Sequence, residues 1–118
     1  MLGILAAVEE VRRDGDGELC GYAASRDGRW QALTVFGAVL SEHDDRAATV
    51  NAVLGEGLRA LAERWTLHRP DGTSEVVCIQ EARPGSATLS LGYYPEPGVP
   101  TVTITADQLA SGDWAMTR

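Results

Sequence analysis

The chain has 118 residues, enough for one folded domain and too few for two, so we predict a single domain over residues 1–118. Its apolar fraction of 44% and charged fraction of 23% exclude intrinsic disorder. The formal charge of −7, with arginine as the only basic residue type besides histidine, opposes binding to a nucleic-acid backbone, which needs clustered cations.

The first predicted element is a short helix from Leu2 to Arg13, in which Leu2, Leu5 and Val8 recur at helical spacing. This segment has no basic leader and no small-residue cleavage site. No apolar run in the chain reaches the roughly 18 to 20 residues that a membrane span requires. The sequence therefore predicts a cytoplasmic protein with no membrane partner.

Two strands are predicted next, from Leu19 to Ser25 and from Trp30 to Leu40. The turn between them contains Asp27 and Gly28, a pair that readily adopts the positive φ of tight hairpins. The second strand is apolar on both pleat faces, which predicts a layer of structure above it and another below it.

The longest predicted element is one amphipathic helix from Ser41 to Trp65. Ser41 is suited to cap its free amides, and Asp44 follows at the spacing of a capping box. The stripe predicted to face the core consists of Ala47, Val50, Leu54, Leu58, Leu61 and Trp65.

A second line of small residues runs beside that stripe, namely Ala48, Ala52, Gly55 and Ala62. Gly55 and Gly57 each cost about 1 kcal/mol relative to alanine in a helix interior. We therefore expect another segment or molecule to approach this backbone closely.

Three strands and a final helix are predicted after the turn Pro70-Asp71-Gly72. The strands run from Glu75 to Ala82, from Ala87 to Tyr94 and from Thr101 to Ala106. The helix is predicted to begin with Asp107 as its cap and to end near Gly112.

The densest group of potential metal ligands is Glu42-His43-Asp44-Asp45. Adjacent helical residues point in different directions, so we interpret these acids as helix-start residues and predict no metal site. Cys20 and Cys78 lie far apart in predicted strands and are interpreted as reduced thiols. No nucleophile elbow and no glycine-rich phosphate loop occurs in the sequence. We therefore predict no enzymatic activity, no cofactor and no binding of GTP by the chain itself.

The predicted order α-β-β-α-β-β-β-α resembles that of the roadblock / dynein light-chain family. The similar segments are Leu19 to Gly28, the helix from Asp45 to Trp65, and the strand pair Val76–Ile79 and Ala87–Leu91. The resemblance implies a roadblock/profilin-like α+β fold, with one five-stranded, mainly antiparallel sheet, a long central helix and short flanking helices.

The same resemblance implies a non-enzymatic homodimer that regulates or docks a small Ras-like GTPase. The family dimerises through its sheet edges and central helix, which nominates Ala48, Ala52, Gly55, Arg59 and Ala62 as the close-approach face. Glu56 and Glu63 lie beside Arg59 in the sequence, and these charges are predicted to steer the partner.

Two other classes of protein fit the sequence. A ribonuclease H-like domain shares the early strand order, but the first predicted strand offers only Glu18 at its edge, so the catalytic acids are not intact. An acidic inhibitor or immunity-type protein that blocks a partner enzyme is consistent with the charge of −7.

Overall fold

A four-stranded antiparallel sheet forms the first part of the protein, whose residues 7–92 and 98–118 are described by a computed structural model. Its strands are β1 (Ala7–Arg12), β2 (Leu19–Arg26), β3 (Arg29–Leu33) and β4 (Val39–His43). They pair in chain order, β1-β2-β3-β4, so β1 and β4 lie at its edges. We call this the first sheet.

The second part begins with α1 (Arg46–Glu56) and a 3₁₀ helix (Arg59–Ala62). The remaining elements are β5 (Arg64–His68), β6 (Ser74–Arg83), β7 (Ser86–Leu91), β8 (Thr101–Thr105), α2 (Ala106–Ser111) and β9 (Ala115–Thr117). These five strands form an antiparallel second sheet in the order β8-β7-β6-β5-β9.

α1 packs on one face of the first sheet. Its buried side chains are Thr49 and Val53. At its N-terminus Arg46 donates two hydrogen bonds, of 2.6 and 2.8 Å, to the carboxylate of Glu9 on β1. The alternation of side chains along a strand puts Glu9 and Ala23, which are register partners, on this helix-covered face.

The core continues from the first sheet to the second through aromatic residues. Phe36, in the β3–β4 connection, packs edge-to-face against Trp65 of β5, with ring centroids 6.2 Å apart. Trp65 is 1% exposed, and its indole N–H donates a 2.9 Å hydrogen bond to the Ala60 carbonyl. The two sheets therefore share one hydrophobic core.

The prediction of an α+β fold is confirmed, but the finer architecture differs. The chain forms two antiparallel sheets instead of one, and its order is four strands, a helix, four strands, a helix and a final strand. Residues 7–12 of the predicted first helix form strand β1, paired with β2, while residues 1–6 of that prediction lie outside the described residues.

The predicted helix from Ser41 to Trp65 is also wrong in extent. Ser41 lies in β4, and the N-cap is Asp45, whose carboxylate accepts a 2.8 Å hydrogen bond from the Ala48 amide. α1 ends at Glu56, only 11 residues after it begins. Trp65 belongs to a strand because Trp65 and Leu67 point into the core while their neighbours do not, which is the period of a strand.

The predicted core stripe and the predicted strand from Trp30 to Leu40 need correction too. Two members of the stripe are exposed, Ala47 and Leu54, the latter to 43%, because α1 buries Thr49 and Val53 instead. The other four lie in the core or pack against it, namely Val50, Leu58, Leu61 and Trp65. The strand is interrupted between Leu33 and Val39 by a turn in which Gly37 has a φ of 97°. Positive φ is open to glycine without a side-chain clash, and it ends the extended run.

Several local predictions are confirmed. The hairpin turn at Asp27-Gly28 has φ values of 52° and 79°, and the strands predicted from Glu75, Ala87 and Thr101 are β6, β7 and β8. α2 ends at Ser111 with Gly112 as its C-cap, near the predicted end, but its N-cap is Thr105 and not Asp107. Tyr93 and Tyr94, placed in a strand by the sequence, lie outside the described residues.

Cys20 is buried, Cys78 is half-buried, and no disulfide joins them. Among the helices of residues 7–92 and 98–118, none has both the length and the apolar character needed to cross a membrane.

Candidate functional site

A pocket of about 290 Å³ opens on the face of the first sheet opposite α1. Tyr22 and Leu33 are register partners on this face, as are Ala24 and Gln31. Side chains one residue away point to the α1 side instead. The lining residues are Val8, Tyr22, Arg26, Gln31, Leu33, Val35, Gly37, Val39, Gly85, Ala106, Asp107, Leu109 and Ala110. We call this site the sheet-face pocket.

Main-chain hydrogen bonds hold the β6–β7 turn and the start of α2 in place along one side of the sheet-face pocket. The Gly85 amide, in the β6–β7 turn, donates to the Val35 carbonyl at 3.0 Å, and the Gly85 carbonyl accepts from the Ala106 amide at 2.8 Å. A Cβ on Gly37 would lie 2.9 Å from the Ala106 Cβ. Glycine at position 37 therefore lets α2 lie against the β3–β4 turn and close one side of the pocket.

One arginine in the pocket has an unused hydrogen-bond donor. The Nε of Arg26 is buried, and no acceptor for it exists among the residues described here. By contrast Arg29, across the same hairpin, forms ion pairs with Asp44 at 2.5 Å and Glu42 at 3.7 Å. Asp107, the one acidic residue lining the pocket, does not come within ion-pair distance of Arg26. Arg26 therefore lines the pocket without an ion pair to any other residue that the structure describes.

The mouth of the sheet-face pocket is apolar and open. Val8 on β1 is 53% exposed and Val39 at the start of β4 is 41% exposed. They are two of the four large hydrophobic residues exposed within the described part of the chain, the others being Leu54 and Val76. Exposed apolar side chains that line one concave site are typical of an interaction surface.

The residues nominated from the sequence lie elsewhere, on α1 and the 3₁₀ helix. Ala48, Ala52, Glu56 and Glu63 are half-buried, whereas Gly55, Arg59 and Ala62 are exposed. They do not form one helical face, because α1 ends before Arg59.

Glu56 and Glu63 are brought together by a residue that the sequence analysis did not nominate. Arg118 lies 3.5 Å from a carboxylate oxygen of each. Its guanidinium also donates to the Leu40 carbonyl at 3.2 Å and lies 5.9 Å from the Trp65 ring centroid. These two acids therefore help to hold the last residue of the chain against the core.

Of the two glycines from which a close approach was predicted, Gly55 and Gly57, only Gly57 shows one within the described chain. A Cβ on Gly55 would meet no described atom within 4 Å. A Cβ on Gly57 would lie 3.0 Å from the carbonyl carbon of Cys20 and closer still to its oxygen. The second glycine thus allows the end of α1 to lie on β2.

The acidic cluster is used within the fold. Glu42 and Asp44 pair with Arg29, and Asp45 caps α1. The His43 ring Nε2 is hydrogen-bonded to the Ser41 hydroxyl at 2.7 Å. Across residues 7–92 and 98–118, no group of three or more His, Cys, Asp and Glu side chains is arranged to hold a metal ion.

Comparison with protein-family models, curated proteins and solved structures found no match. Membership of the roadblock family therefore stays a prediction, and the site must be interpreted from its own chemistry.

The sheet-face pocket was not found by sequence reasoning. Its lining residues come from four separate stretches of the chain, and each stretch alone has an ordinary structural explanation. One signal in the sequence pointed to this pocket. Tyr22 and Arg26 are four residues apart in β2, and side chains alternate between the two faces of a strand, so both lie on the same face.

Proposed function

We propose that this protein is a non-enzymatic binding module that holds a partner protein at the sheet-face pocket. The observation that supports this proposal is the open apolar mouth formed by Val8 and Val39 around the unmatched Arg26. Interfaces of this kind combine an apolar centre with a few polar groups that fix the orientation of the partner.

The proposal includes homodimerisation and cytoplasmic location. Strands β1 and β8 are at the ends of the two sheets as far as the structure describes them, and open strand edges pair readily with another chain. Gly55, with open space around it, leaves room for a second copy to approach α1. The roadblock resemblance adds a small GTPase as a second partner, which binds the α1 side of the chain.

An acidic inhibitor is the second candidate, and the net charge of −7 supports it. An acidic protein is steered toward a basic active site over long distances, and it would block that site without any catalytic group of its own. The identity of the captured partner separates the two functions, since one predicts a GTPase and the other predicts an enzyme with a basic active site.

The test is affinity capture from a lysate of the source organism, with the bound proteins identified by mass spectrometry. The variant Val8→Asp/Val39→Asp places charge at the pocket mouth, and we expect it to lose the partner held at the pocket and to keep a GTPase bound on the α1 side. Val76→Asp is the matched control, because Val76 is 39% exposed and lies on the second sheet, away from the pocket.

Circular dichroism of all three proteins checks that the fold is intact. Equal capture of every bound protein by the pocket-mouth variant and the unsubstituted chain would contradict binding at the pocket. Equal loss in both variants would also contradict it, because the effect would then not depend on the pocket.

A further inference from the structure

Arg26 lines the sheet-face pocket and forms no ion pair with another described residue. The buried Nε–H of Arg26 has no acceptor among the described residues. A negatively charged acceptor in the pocket would supply the ion pair that Arg26 lacks. A carboxylate matches a guanidinium best, because its two oxygens face the planar donors in parallel.

The apolar side chains that line the pocket with Arg26 indicate which chemical group of the ligand lies next to its carboxylate. Val8, Leu33 and Val39 line the pocket beside it. An apolar side chain in contact with these residues would remove apolar surface from water on both partners. The ligand therefore carries a carboxylate and an apolar group on neighbouring atoms.

The size and openness of the pocket favour the end of a chain over an isolated small molecule. The volume of about 290 Å³ lies at the lower limit for small-molecule sites, which enclose most of their ligand. Val8 and Val39 remain largely exposed at the mouth, so a longer ligand would continue across them. Strand β1, which carries Val8, is also an edge strand beside which an extended peptide could lie.

We propose that the sheet-face pocket binds the free C-terminal carboxylate of a partner polypeptide that ends in an apolar residue. Arg26 pairs with the carboxylate, and Val8, Leu33 and Val39 contact the last side chain. This inference rests on the proposed function, because it names the part of the partner protein that the pocket holds. Asp107 lines the same pocket and weakens binding through like-charge repulsion.

The test is a titration of the full chain followed by ¹⁵N NMR, with N-acetyl-Ala-Ala-Leu as the probe. We expect the free acid to shift the side-chain Nε–H signal of Arg26 and the amide signals of Gly37 and Val39. The same peptide with a C-terminal amide should bind at least tenfold more weakly, since it lacks the charge that strengthens the hydrogen bond.

Substitutions of Arg26, Arg29 and Asp107 test which charged side chains act on the carboxylate. Arg26→Gln should lose binding at least tenfold, while Arg29→Gln should keep it, because Arg29 is exposed and already paired with Asp44. Asp107→Asn should tighten binding, since it removes a negative charge and keeps the shape of the side chain. Arg26→Lys should bind more weakly than the unsubstituted chain, because a lysine cannot form the two-pronged contact.

Three results would overturn the inference. Equal binding of acid and amide would exclude carboxylate recognition, and tighter binding of octanoate than of the peptide acid would identify a fatty-acid site. Binding that appears only after deletion of residues 2–6 would make this chain's own N-terminal segment the occupant. The proposed function is judged separately by the Val8→Asp/Val39→Asp capture, which needs no free carboxylate.

Discussion

The backbone of Gly57, at the end of α1, lies against the carbonyl group of Cys20 on β2, so closely that no Cβ fits between them. Gly57 has ordinary helical dihedral angles, with φ of −54° and ψ of −51°. Glycine is therefore needed at this position for space and not for backbone conformation. This contact sets how near α1 lies to the first sheet.

We predict that Gly57→Ala destabilises the protein by about 1 to 3 kcal/mol, the usual cost of overpacking. Gly55→Ala is the matched control on the same helix, where a Cβ meets open space. It should leave the stability unchanged or raise it by up to about 1 kcal/mol, because alanine favours a helix. Urea unfolding measures both, and equal effects of the two substitutions would contradict the assigned contact.

The second prediction concerns Gly55 and the oligomeric state. Because Gly55 is exposed and contacts no described side chain, a leucine there fits within one copy of the chain. If α1 is the face at which two copies meet, Gly55→Leu overpacks the interface and should shift a dimer toward monomer. Light scattering over a range of concentrations tests this, with Gly55→Ala as the control. A monomer at every concentration for the unsubstituted chain would remove the homodimer from the proposal.

The third prediction separates partner binding from stability on the α1 side. Arg59 is exposed and forms no ion pair with another described residue, so Arg59→Glu should leave the melting temperature unchanged and weaken capture of a small GTPase. Glu56→Lys/Glu63→Lys should lower the melting temperature, because it repels Arg118 from its place beside Trp65. Capture assays and thermal unfolding of both variants give the comparison. GTPase capture that is unaffected by Arg59→Glu would exclude this surface.

The fourth prediction concerns pH and the β1–β2 turn. Hydrogen bonds from the Arg13 guanidinium, and from the Glu18 amide, lower the pKa of Asp16 to about 2. The ordinary aspartate pKa is about 3.9, so the folded state binds fewer protons than the unfolded state between these two values. The stabilisation by this carboxylate should be complete above about pH 4 and should decline as the pH falls through 2.

Carboxyl ¹³C NMR follows the titration of Asp16 directly. Arg13→Gln should raise its pKa toward the ordinary value, and Arg29→Gln should not, because Arg29 pairs with Asp44 outside this turn. Since Asp16 is exposed, high salt should reduce the shift. An ordinary pKa for Asp16 in low salt would show that the ion pair does not persist in solution.

The candidate site illustrates why sequence reasoning found some parts and missed others. The tight turns were predictable because the Asp27-Gly28 pair readily adopts the positive φ values observed there. The pocket between Val8, Arg26 and Asp107 was not predictable, since these residues are distant in sequence and meet only through strand register and the Gly85–Ala106 hydrogen bond. Arg26 alone looks like any solvated hairpin arginine.

By itself the sequence determined the α+β class, the hairpin turns, the strands β6 to β8 and the end of α2 next to Gly112, because these depend on local backbone preferences. Only the tertiary structure decided that residues 7–12 and 64–68 are strands. Both segments have side chains compatible with a helix, and each becomes a strand because a neighbouring strand satisfies its amides and carbonyls. The same pairing divides the strands into two sheets, and the pocket lies on the face of the first sheet opposite α1.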